Sequence, residues 1–203
     1  MRKLPSFTLA FVFLTATAFG VAAEISGNPS VSIGDEKLFL AHVEGGGTDL
    51  LLNEYVRNDQ SLERWNILLA VRFLRSAKSV DDAVKEWKDY LAHEKGTVVS
   101  LVEVGASTAN DRRFMVSIRP PDAGYFECHQ MRFIRGPNKK GIIYWQLITR
   151  LDMKLKEDAG AELQAISKQA AIGKALSSIA IPLFEEMPKQ PAEPASVTRG
   201  GSS

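Results

Sequence analysis

Apolar and polar residues alternate in short runs along most of this chain, and the spacing widens to a helical one in only two places. The runs at 36–44 (EKLFLAHVE) and 50–56 (LLLNEYV), separated by GGGTD, predict two strands joined by a flexible turn. NILLAVRFL at 66–74 follows the polar turn NDQSLERW. Its β-branched and aromatic content predicts a third strand, although Ser61 as a cap would suit a longer helix. Four more strands are predicted at 97–104, 112–120, 125–135 and 141–151, with STAND, PPDAG and GPNKKG as the turns of an antiparallel meander.

The clearest helix begins at SVDDAVKEWKDYLAHEKG. Ser79 is a suitable N-cap, Asp81 and Asp82 complement the helix dipole, and Gly96 offers a stop. Val80, Ala83, Val84, Trp87 and Leu91 recur on one face, which predicts a helix lying on a sheet. A second, Ala-rich helix is expected from Asp158 to about Ala180, weakened at Gly173. The expected class is α+β: a mostly antiparallel sheet of about six to seven strands with two helices packed on one face and the other face wet.

The N-terminus changes the picture of where this domain works. A basic start (Arg2, Lys3), the apolar FTLAFVFLTATAFGV and the small residues VAA together predict a secretory signal peptide, residues 1–23, cleaved after Ala23. The apolar run is too short for a comfortable membrane span. The expected mature protein is periplasmic or secreted, with one domain at 24–184, a disordered tail at 185–203 and no transmembrane segment. The formal net charge of +1 loses Arg2 and Lys3 with the signal and becomes −1, so global charge points to no partner. Nucleic acid is an unpromising partner for an exported, near-neutral chain without a basic helix.

Catalytic signatures are absent: there is no GxSxG, HExxH, P-loop, GxGxxG or CxxC. His42, His93 and His129 lack ligand spacing, so neither a metal nor a cofactor is expected. Cys128 and His129 are neighbours in a predicted strand and point to opposite faces, which argues against a thiol–imidazole nucleophile. Glu127 and His129 read as an internal pair, and Trp65, Trp87 and Trp145 as core anchors. The lone Cys128 is expected to be an inert thiol or an intermolecular disulfide.

Charge is segregated along the chain. Residues 112–150 carry eight basic residues against two acids, while 80–103 carry three against six. With Arg132 opposite Tyr144, one face would hold Arg113, Arg119, Arg132 and Arg150 with Gln130, Gln146, Ser117, Tyr144 and Cys128. The other would hold Phe114, Val116, Ile118, His129, Met131, Phe133, Trp145 and Leu147. Guanidinium groups suit carboxylate, phosphate or sulfate, so Arg113, Arg119, Gln130, Arg132, Tyr144, Gln146 and Arg150 are the candidate binding residues. The ligand would be an anionic small molecule, a glycan, a lipid headgroup or an acidic protein.

The segment LLNEYVRNDQSLERWNILLAVRFL resembles one in uncharacterised exported bacterial proteins, where an EYV strand, a polar turn, a Trp and an AVR strand recur. The resemblance rests on Glu54, Tyr55, Trp65 and Arg72. It implies a bacterial envelope address and an α+β domain, and it implies no catalytic residue. The expected function is an exported, non-catalytic binding or accessory protein. Alternatives are a periplasmic hydrolase or transferase whose acids meet His129 in the fold, and a homodimer joined through Cys128 or an open sheet edge.

Overall fold

The computed structural model describes residues 27–93, 97–105, 108–121, 123–152, 171–175 and 181–188. The expected signal peptide at 1–23, the expected stop at Gly96, most of the expected second helix and the end of the expected tail lie outside these residues. The strands are β1 (Ser30–Ile33), β2 (Glu36–Glu44), β3 (Leu50–Val56), β4 (Ile67–Leu74), β5 (Thr97–Glu103), β6 (Asp111–Arg119), β7 (Tyr125–Arg135) and β8 (Ile142–Asp152), with helix α1 at Val80–His93. They form one antiparallel sheet in the order β1-β2-β3-β4-β8-β7-β6-β5. Two four-stranded meanders therefore meet at the β4–β8 pair, and β1 and β5 are its edges.

The class is α+β with a mostly antiparallel sheet, as expected, but the described residues hold eight strands rather than six to seven. The extra strand is β1, which forms a tight hairpin with β2 through Gly34 and Asp35. Gly34 sits at φ +60°, a backbone that two-residue hairpin turns require.

Helix α1 begins as its sequence predicts. The Asp82 amide donates to Ser79 Oγ at 3.0 Å, and Val80, Ala83, Val84, Trp87 and Leu91 are buried. Trp87 packs on both Phe114 and Phe133, with ring centroids 5.2 and 5.5 Å away, and Phe133 stacks on Tyr144 at 5.0 Å. One sheet face is thereby closed over β6, β7 and β8.

The opposite face is covered as well, which corrects the expectation of two helices on one side and a wet face on the other. Ile172, in the helical segment 171–175, and Ile181, Leu183 and Phe184 pack on Leu40, Tyr55, Leu69, Val71, Trp145 and Leu147. Gly173 explains its own presence there, because a Cβ at that position would lie 2.1 Å from Gln130 Oε1. Residues 181–185 run over β3 as a strap held by side chains. Asn53, fully buried, donates from Nδ2 to Phe184 O at 2.8 Å and accepts from Phe184 N at 2.7 Å. Tyr55 Oη donates to Pro182 O at 3.0 Å, and Arg75 Nη2 reaches Glu185 Oε1 at 2.6 Å, so this tie holds a residue the sequence assigns to the tail.

Candidate binding surface

The register decides which candidate residues meet. Arg132 pairs with Trp145 rather than Tyr144, and Phe133 pairs with Tyr144. This one-residue difference splits the expected arginine face in two. Arg113, Ser117, Arg119, Cys128, Gln130 and Arg132 share the strap face with Trp145 and Leu147. Tyr144, Gln146 and Arg150 share the α1 face with Glu127, His129, Met131 and Phe133.

Each arginine group is built around an acid. On the strap face, Asp111 accepts from Arg113 Nη2 at 2.8 Å and from Arg132 Nη2 at 3.0 Å. Burial pushes the Asp111 carboxyl up, but the two guanidinium groups outweigh it and hold it below its ordinary value. Arg132 also lies 5.0 Å over the Trp145 ring. Arg119 is exposed at the end of β6.

On the α1 face a chain of hydrogen bonds crosses three strands. Arg72 Nη1 donates to Gln146 Oε1 at 2.7 Å, Gln146 Nε2 donates to His129 Nδ1 at 2.8 Å, and His129 Nε2 meets Glu127 Oε2 at 3.2 Å. Arg150 closes the chain, with Nε 3.3 Å from Glu127 Oε1 and its guanidinium 3.6 Å from the Trp65 ring centroid. Arginine only donates and a carboxylate only accepts, so the direction is set from both ends. Gln146 must turn its oxygen to Arg72 and its amide nitrogen to His129, which leaves the imidazole hydrogen on Nε2, facing Glu127. Arg72, His129 and Gln146 are 7%, 6% and 6% exposed, so this chain offers no open surface to a substrate. Burial outweighs the depressing effect of Arg72 on nearby Glu54, whose carboxyl is pushed up.

Cys128 is buried beside Ser117 and Thr149, opposite in face to His129, and burial pushes its thiol up. A thiol in that setting is a weak nucleophile. No group of three metal-ligating side chains occurs among the described residues. None of the helices described is long and apolar enough to cross a membrane.

The surface that sequence reasoning missed is the edge strand β5. Val99, Leu101, Val102 and Val104 are 54%, 41%, 48% and 37% exposed, and Met115 beside Val102 is 38% exposed. A bulge between Val98 and Ser100 separates Val99 from the regular stretch that follows. From there, Leu101 shares the α1 face with Val116, while Val102 and Met115 lie on the strap face. Residues 97–102 carry no charge and no proline, so the edge lacks the lysine or proline that commonly guards one. At its C-terminal end an open hollow of about 570 Å³ is lined by Asp81, Glu103, Thr108, Ala109 and Arg112, with Arg112 bonded to both Glu103 and Asp81. The available signal was TVVSLVEV itself, apolar at successive positions where a half-buried strand would alternate.

No protein family and no curated protein matches the chain. Among solved structures, the Saccharomyces cerevisiae Ran-binding protein Mog1p is similar at 15% identity, over 74% of this chain and 90% of that one, with a TM-score of 0.39. Human STARD10 is similar at 10% identity, over 71% and 74%, with a TM-score of 0.33.

Proposed function

We propose that this chain is an exported, non-catalytic binding protein of the bacterial envelope, and that it docks an extended segment of a protein partner on the open edge of β5. The observation that carries the reading is the run of exposed apolar side chains on this edge, Val99, Leu101, Val102 and Val104, with Met115 beside it and Glu103 as its single charge. An unpaired edge presents main-chain donors and acceptors to an incoming strand, and side chains on both faces add apolar area. The basic start, apolar run and small residues at 1–23 support the exported address. Recognition of an anionic ligand draws less support, because Arg113 and Arg132 are engaged by Asp111 and Arg150 by Glu127. Catalysis at His129 draws little, since both ring nitrogens are engaged and the side chain is buried.

A photo-crosslinking residue at position 102, in protein expressed in its own cell, tests the docking reading. A crosslinked polypeptide that is absent when the probe sits at exposed Asp59, in the turn between β3 and β4, is the expected result. Equal labelling at the two positions, or no polypeptide at 102, removes β5 as the docking surface.

A further inference from the structure

Resting on the reading of β5 as a docking edge, we propose that the strand it takes is the β5 of a second copy, running antiparallel about a two-fold axis at Val102. The two sheets would then join edge to edge. A two-fold perpendicular to a sheet keeps like faces together, so each side chain's neighbours follow from the register. On the strap face Val102 meets its own counterpart, flanked by Met115 of each copy, and Ser100 lies opposite Val104. On the α1 face Leu101 lies opposite Glu103. The exposed Val102, Val104 and Met115 of the two copies merge into one apolar patch centred on the axis.

Charge and the bulge select this register over its two neighbours, since an axis through Leu101 would draw the bulge at Val99 into the pairing. An axis through Glu103 would place two carboxylates face to face, whereas an axis through Val102 opposes no like charges. Opposite Leu101, each Glu103 keeps its bonds to Arg112 of its own copy, through Nε and, at 2.8 Å, Nη2. The bulge at Val99 limits the regular pairing to Ser100–Val104 on each side, which a strand of the same sequence matches in length. The interface is isologous, so it closes at two copies.

Sedimentation equilibrium of the full mature chain over a wide concentration range tests the proposal. Wild-type protein is expected to show a reversible monomer–dimer equilibrium. Val102→Lys sets two ammonium groups against each other at the axis and is expected to weaken dimerisation about 100-fold or more. Val102→Glu should do the same. Val102 is half exposed, so neither variant should lose the α1 circular-dichroism signal. An equimolar mixture of the two variants should recover a dimer, because a lysine then faces a glutamate across the axis. A wild-type monomer at every concentration, a dimer indifferent to Val102→Lys, or a mixture that stays monomeric each overturns self-pairing. If wild-type protein is monomeric while position 102 still crosslinks a different polypeptide, self-pairing fails and the docking reading survives.

Discussion

Replacing Asn53 by alanine should release the strap that closes one sheet face. The Asn53 carboxamide spans both backbone groups of Phe184, at 2.8 and 2.7 Å, as a neighbouring strand would. Each lost hydrogen bond is worth about 0.5–1.5 kcal/mol net, and a backbone group left unpaired under apolar cover costs about 1–3 kcal/mol. Phe184 is only half-buried, so water reaches part of what is freed, and the expected loss is about 2–3 kcal/mol. Urea unfolding followed by tryptophan fluorescence measures the total, and amide exchange at Phe184 locates it. Gly46→Ala is an independent route to the same displacement, because its Cβ would lie 2.5 Å from the Glu185 carbonyl oxygen. Both variants should speed exchange at Phe184 while leaving α1 protected. A loss below about 1 kcal/mol for Asn53→Ala, or unchanged exchange at Phe184, would refute the strap as an integral part of the fold.

The hydrogen-bond chain predicts that Gln146→Leu costs about 2–4 kcal/mol by removing the buried partner of Arg72 Nη1 and of His129 Nδ1, whereas Gln146→Glu turns His129 into a double donor, visible in its ¹⁵N shifts; an unaltered imidazole spectrum in Gln146→Glu would contradict the chain's direction. Burial pushes the Tyr55 phenol up to about 12, so its contribution to stability is complete below its ordinary value of 10.0 and is lost as pH rises toward about 12. Tyr55→Phe should abolish that alkaline slope, and a slope that persists assigns it elsewhere. The lowered Asp111 carboxyl acts in the opposite sense: its pairing with Arg113 and Arg132 is complete above its ordinary value of 3.8 and is lost as pH falls through the lowered one. Asp111→Asn should therefore differ from wild type in stability at neutral pH and converge with it in acid, which denaturation at several pH values checks. Cys128 should react with a thiol reagent only on unfolding; fast labelling of native protein, or a reducible covalent dimer, would place the thiol at the surface.

The elements that were legible in the sequence are those with one dry face. In α1 the apolar residues keep helical phase from Val80 to Leu91 behind a capping serine, and in β6 Phe114, Val116 and Ile118 alternate with Arg113, Ser117 and Arg119, Met115 being the exception. In β8 the pattern has no phase to read. Ile142, Ile143, Tyr144 and Trp145 are consecutive apolar residues because α1 covers one side of the strand and the C-terminal segment covers the other. The candidate arginines were paired across that strand, so a one-residue error there moved Tyr144, Gln146 and Arg150 to the wrong face. Strand β1 went unread because SVSI is only four residues long: Val31 and Ile33 are buried and Ser30 and Ser32 exposed, an alternation too short to stand out from a turn. The edge position of β5 depends on β4 pairing with β8 rather than β5, a long-range choice that no local pattern records.

Hydrogen exchange along β5 in the native protein tests most directly whether this edge is an occupied docking surface. A bare edge strand bonds only one side of its backbone, so within residues 97–103 the amides facing away from β6 should exchange within seconds while the others are slow. Occupation of the edge predicts slow exchange at both sets, reverting to the alternating pattern in Val102→Lys. Rapid exchange of the outward amides in the native protein, unchanged by that substitution, would contradict the account.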